Sequence, residues 1–356
     1  MTPRPKPGIL DIAPYAPGRA KLPGVASAIK LSANENPFGC SEAARRAFLK
    51  AASELHLYPD ANTSRLRAAI AERYNLEPNR LVFGAGSDEI FAIAAQAYLG
   101  PGDNAVQPQF GFAAWAIAVA ATGARMKSAP ERAFTVDVDA IAAAVDDSTR
   151  MVFLANPANP SGTWLSFNAI ERLHAALPQN VLLVLDGAYA ECAFGVEGFS
   201  DGLEWSRDKS NVLVTRTFSK AYGLAALRIG WAYGPAEVIA ALDRIRLPFS
   251  ISRAGEAAAI AALADESFLR SSVSAMNAER ARLDAALRGI GAETLPSATN
   301  FVTVRFADAQ SAERRFVERG IIVRGLANYG MPEWLRISVG TPEQIDRVIA
   351  ALGERR

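Results

Sequence analysis

A lysine follows the candidate strand NVLVTRT (Asn211–Thr217), within the segment TRTFSKAYGLAALRIGWAYG, with Ser219 before it and Arg228 eight residues later. The chain has seven lysines, and none comes after Lys220. Partial burial and nearby cations lower a lysine's pKa, so that its free amine can attack an aldehyde as a Schiff-base lysine. Position alone allows a solvated loop lysine equally well. In VLLVLDGAYAE, Asp186 ends five apolar residues. A carboxylate leaving a buried strand is costly without a cationic partner, and a pyridinium nitrogen would be one. A helix N-cap is the plainer reading of the same residue. Tyr189, three residues on, and Asn159 in ANPANPSG can both hydrogen-bond a phenolic oxygen. Two Asn-Pro pairs make a fixed turn at the end of a strand, where α/β folds bind ligands. FGAGSDE offers a glycine turn and a helix start, with Ser87 as an added donor, and this suits a phosphate. Ser219 and Arg228 complete that pocket if the fold brings them close. Phe110 can stack on a flat heteroaromatic ring, although a lone aromatic is more often core.

These residues need an α/β framework, and the rest of the chain reads as one. At 356 residues it holds one large domain and a smaller one, or two domains. Half the residues are hydrophobic and about a fifth are charged, which is a globular composition. A net charge of +1 supplies no field for nucleic acid or an anionic membrane. Two cysteines, Cys40 and Cys192, are too few for a disulfide framework and point to a reducing cytoplasm. Two histidines without metal spacing argue against a zinc site or a Ser-His-Asp hydrolase. Neither a signal peptide nor a membrane span is expected.

Residues 1–40 are proline-rich and read as an extended arm folding back onto the smaller domain. From Ser41 onward helices and continuous Val/Leu/Ile strands alternate, as in a mostly parallel sheet flanked by helices. The pattern changes near residue 245. A long helical stretch over about 252–287 follows, then a small α+β unit in the order strand, helix, strand, strand, helix. The expected organisation is therefore an arm (1–40), a large α/β domain (41–245) and a smaller α+β C-terminal domain (246–356).

Taken in order, NENP, YPD, GSDE, NPANPSG, DGAY, TFSKAYGLAALRIG and the VR and LRI arginines resemble the fold-type I pyridoxal-phosphate aminotransferases of class I/II. That group contains the histidinol-phosphate aminotransferases. The likeness runs from LSANENPFG (Leu31–Gly39) to LRISVG (Leu335–Gly340). It implies that Lys220 holds pyridoxal 5'-phosphate and shuttles the proton. Asp186 would meet the ring nitrogen, and Tyr189 and Asn159 the phenolic oxygen. Ser87, Asp88, Thr217, Ser219 and Arg228 would line the cofactor site around its phosphate. Phe110 would take the stacking place, where many relatives have Tyr or Trp. Tyr58 resembles a residue that reaches the phosphate of a neighbouring subunit, implying a homodimer with shared sites. Arg324 and Arg336 resemble substrate-anion arginines, with Tyr15 on the arm close by.

The implied activity is transamination of L-histidinol phosphate with 2-oxoglutarate, a step of histidine biosynthesis. Phenylalanine or tyrosine transamination is the alternative, and threonine-phosphate decarboxylation a third choice on a similar scaffold. A nucleotide-binding dehydrogenase is the reading from another class, but FGAGSDEI lacks the third glycine of G-x-G-x-x-G.

Overall fold

The computed structural model describes residues 2–23 and 27–353. The larger sheet has seven strands, in the spatial order Leu81–Ala85, Ile229–Tyr233, Val212–Thr217, Leu182–Asp186, Thr149–Ala155, Asn104–Pro108, Arg125–Ala129. Ile229–Tyr233 runs antiparallel to both neighbours, and every other pairing is parallel. The central strands are apolar at consecutive positions because both their faces are covered. Leu183, Leu185, Val212 and Val214 enter one core cluster, while Leu182, Val184 and Leu213 enter the other. This is the two-residue alternation of a strand serving two cores.

Helices fill both faces and begin where the sequence supplies caps. Ser41 accepts from the Ala44 amide at the start of Glu42–Ala51, and Ser166 from the Ala169 amide at the start of Phe167–Ala176. The polar edge strand Arg125–Ala129 has no counterpart in the sequence reading. Its residues are largely partly exposed, so it lacks the continuous apolar run that marks the inner strands.

The helical stretch expected over about 252–287 is two helices, Arg253–Ala264 and Glu266–Gly289. Asp265 breaks it and caps the second helix by accepting from the Phe268 amide. Ala258, Ala259, Leu263, Leu269 and Met276 belong to the larger core, whereas Leu283 and Leu287 belong to the smaller. The change of core therefore falls inside the second helix rather than near residue 245. The last helix is described from Pro342 to Gly353, and residues 354–356, read with it from sequence, lie outside the described residues.

The smaller unit holds a three-stranded antiparallel sheet in the order Phe301–Arg305, Trp334–Ser338, Arg324–Gly325. Its register sets Arg324 directly opposite Arg336. The arm reaches this unit as strand Ile29–Lys30, which pairs in parallel with Ile321–Ile322.

Candidate active site

At the C-terminal ends of the parallel strands lies a cavity of about 400 Å³, closed by the arm and by the smaller sheet. One end of it is an anion cradle. Gly86, at φ 78°, turns strand Leu81–Ala85 into helix Ser87–Tyr98, whose first amides have no helical acceptor. Ser87 and Asp88 line the cavity there with Thr217, Ser219 and Arg228. Arg228 adopts a left-handed backbone, φ 51°. Its guanidinium donates to Ser219 Oγ at 2.9 Å and to Asp88 at 3.2 Å. The Thr217 hydroxyl accepts from the Ser219 amide at 3.1 Å and so fixes the turn. A Cβ on Gly86 would lie 2.3 Å from Arg228 Nη2, and one on Gly230 would lie 2.3 Å from the Gly86 carbonyl carbon. Only glycine lets the arginine, the hydroxyls and the helix N-terminus converge.

Asp186 stands deeper, at the end of its strand, and is 6% exposed. Its Oδ1 accepts from the Ala188 amide (3.0 Å) and the Thr215 hydroxyl (3.2 Å). Burial nonetheless raises its pKa to about 6. Lys220 Nζ donates to the Ala33 carbonyl at 3.3 Å and lies 5.7 Å from the centre of the Tyr189 ring. Burial, aided by the Arg336 charge, lowers its pKa to about 8. The Tyr189 hydroxyl accepts from Asn34 Nδ2 at 2.8 Å, which leaves its own proton to be donated. Burial pushes that phenol's pKa up, so it remains protonated.

The outer part of the cavity belongs to the smaller sheet and the arm. Arg336 is buried, and its Nη1 donates to Asn159 Oδ1 and its Nη2 to the Ser32 carbonyl at 3.1 Å. Its buried Nε has no partner. Arg324 donates to the Ala16 carbonyl at 2.7 Å and so ties down the arm, from which Tyr15 also lines the cavity.

Two of the residues singled out from sequence are not in the cavity. Phe110 stacks on Phe134, with ring centres 5.3 Å apart, in a cluster with Leu295, Leu326, Met331 and Trp334. Its amide is held by Glu131 at 3.1 Å. Phe110 is only partly buried in that cluster, and Phe112 lines the cavity. Tyr58 is 79% exposed against Phe249, away from the cavity. Asn34 and Tyr329 line the cavity without having been singled out. The NENP motif was visible, but no local signal told that Asn34 would meet a tyrosine 155 positions later.

Residues 26–352 match the family Aminotransferase class I and II. Histidinol-phosphate aminotransferase 1 of Caulobacter vibrioides is 49% identical over 98% of this chain and 99% of its own. The histidinol-phosphate aminotransferase of Sphingopyxis alaskensis is 48% identical over 98% of this chain and 96% of its own. The crystal structure of histidinol-phosphate aminotransferase from Sinorhizobium meliloti in complex with pyridoxal-5'-phosphate superposes with a TM-score of 0.84. It is 34% identical and covers 91% of this chain and 89% of that one.

Proposed function

The chain belongs to the class I and II aminotransferases, and from that premise we propose that it moves the amino group of L-histidinol phosphate to 2-oxoglutarate with pyridoxal 5'-phosphate. The donor set fits that cofactor. Asp186 is a buried carboxylate without a cationic side chain paired to it among the described residues, and a ring nitrogen that carries a proton would satisfy it. The glycine-lined cradle of Ser87, Ser219 and Arg228 suits the phosphate, and the depressed pKa of Lys220 suits capture of an aldehyde. When bound, the cofactor supplies the electron sink for the charge that develops at the donor's Cα.

The chain's own residues supply position and proton transfer. Asp186 would hold the positive charge at the ring nitrogen. Tyr189 would donate a hydrogen bond from its hydroxyl to the cofactor's phenolic oxygen, and the Asn159 amide, its oxygen already engaged by Arg336, would offer a second donor. Nζ of Lys220 takes the proton leaving Cα, since a group with a pKa near the working pH both accepts and returns it.

The choice of donor rests on one observation: Arg324 and Arg336 stand opposite each other on adjacent strands beside the cavity. Two guanidinium forks suit a phosphate, with its greater charge and more acceptors, over a carboxylate. The names of the relatives support the same reading. The test is kcat/KM for histidinol phosphate, phenylalanine and tyrosine side by side. A clear preference for an aromatic amino acid would overturn the donor and leave the aminotransferase standing.

The same reading includes a cytoplasmic homodimer in which Tyr58 serves the neighbouring site. Tyr58 lies with the exposed Leu55, Leu57 and Phe249 around one surface pocket. Inactive Tyr58→Phe and Lys220→Ala proteins, mixed and allowed to exchange subunits, should regain part of the activity, because one hybrid site carries both natural residues. Exchange without recovery would place each site within one chain.

A further inference from the structure

Between Thr215, which donates to Asp186, and Thr217, which steadies the Ser219 turn, Arg216 points to the opposite side of the sheet. It is 1% exposed, and a strand buries a guanidinium only with strong compensation. Its Nη2 donates to Asp201 at 2.6 Å, and Glu191 lies 3.9 Å from its Nη1. The Tyr74 and Tyr222 hydroxyls, 3.0 Å apart, complete its surroundings.

One contact is not electrostatic balance. Arg216 Nη1 donates to the Gly187 carbonyl at 3.2 Å. Gly187 follows Asp186 directly, and its amide is held at 3.0 Å by the Thr215 carbonyl. A Cβ on Gly187 would lie 3.0 Å from Arg216 Nη1, so the guanidinium lies close against this peptide. Its neighbours also bracket the reactive groups in sequence. Gly187 and Glu191 lie on either side of Tyr189, and Tyr222 lies two residues beyond Lys220.

We propose that Arg216 is a positioning residue: clamped by Asp201 and Glu191 behind the sheet, it holds the Gly187 peptide and so fixes how Asp186 and Tyr189 enter the cavity. This rests on the cofactor roles given above to Asp186 and Lys220. Asp201 and Glu191 fix the guanidinium and Arg216 fixes the turn. The turn in turn would set how the Asp186 carboxylate meets a bound ring nitrogen, and with it the charge held there.

The experiment uses the holoenzyme and reads the pH midpoint of its visible absorption change, along with kcat and KM separately. Arg216→Met is expected to move the midpoint by about half a pH unit or more. It is also expected to lower kcat roughly tenfold with KM little changed, as a small misplacement of catalytic groups does. Arg216→Lys, which keeps the charge and one donor, should restore part of both. Leu287→Ala, in the distant smaller core, is the control for lost stability and should leave the midpoint in place. If Arg216→Met does not fold, Asp201→Asn takes its place, with a smaller shift of the midpoint expected. A wild-type midpoint and a kcat within about twofold of wild type in the folded variant, with only a lower Tm, would make Arg216 a fold-stabilising residue and overturn the inference. A wild-type protein without a visible band would overturn the cofactor reading and this inference with it. A normal wild-type band with unmoved variants overturns this inference alone.

Discussion

Strand Val212–Thr217 has buried charge on both of its sides, and the two sides treat it differently. Behind the sheet, the Arg216 guanidinium meets two carboxylates, Asp201 and Glu191. On the cavity side, Lys220, Arg324 and Arg336 form no ion pair with any carboxylate among the described residues, and Asp186 pairs with no cation. The first cluster is balanced by the chain itself. In the second, Arg228 is paired with Asp88 at 3.2 Å, and the remaining charges would be balanced when a ligand brings a ring cation and an anionic substrate. Buried charge without an internal partner costs stability, and it persists here where binding can recover that cost. The pKa directions differ in part: Asp201 and Glu191 hold Arg216 above its usual range against its burial, whereas burial displaces Lys220 and Asp186, and Glu191 as well, toward neutrality.

The largest effect expected from breaking the cavity side is at Lys220. Lys220→Ala should lower transamination by roughly 10⁴-fold or more, measured as kcat with histidinol phosphate and 2-oxoglutarate, because both the covalent anchor and the proton acceptor are lost. Borohydride reduction of the wild-type enzyme should leave the adduct on Lys220, and an adduct on another lysine would remove the site from this strand. Asp186→Asn should keep some cofactor and lose about 10²–10³-fold in kcat, the range for removing one preorganised electrostatic partner. Near-normal turnover would make Asp186 only a cap.

Loss of an anion contact is expected to be milder. Arg324→Ala should lower kcat/KM for histidinol phosphate roughly ten- to a hundredfold, since a charge-assisted hydrogen bond is worth about 1.5–3 kcal/mol. Phenylalanine should suffer less if Arg336 alone holds a carboxylate. Equal losses for both donors would mean that Arg324 serves mainly through its bond to Ala16 on the arm.

The smallest effect is on stability, and its sign separates the two sides. With a folded pKa of about 8 against an ordinary 10.5, Lys220 contributes its full stability above 10.5 and loses it as pH falls through 8. Lys220→Met should therefore raise the Tm of the cofactor-free protein by a few degrees near pH 7, with the gain fading above pH 10.5. Asp186 has the mirror dependence. Its contribution is complete below pH 3.8 and lost as pH rises through about 6, so Asp186→Asn should also stabilise the cofactor-free protein near neutrality. Asp201→Asn, on the balanced side, should lower Tm. A fall in Tm for all three would erase the distinction between the two charge clusters.

Much of this was legible in the residue order. Continuous apolar runs ending in Asp186 and Ala155 marked inner strands, and the cavity gathers the residues that follow them. That gathering is a property of parallel α/β sheets: strand ends that point the same way must share one edge. Helix starts were legible for a local reason, because a cap such as Ser41 bonds an amide three residues away. Three features depended on tertiary structure instead. Phe110 and Phe112 are the same residue type two positions apart, and only their distant neighbours decide that one packs on Phe134 while the other lines the cavity. Asn34 gains its place from Tyr189 and Ser338, both remote in sequence. Arg216 reads as one polar residue in a strand until the sheet brings Asp201, Glu191 and the Gly187 carbonyl to it. Local sequence specifies φ/ψ preferences and apolar periodicity. Which charges are balanced within the protein is a sum over residues far apart in the chain, and it is set only when the strands pair.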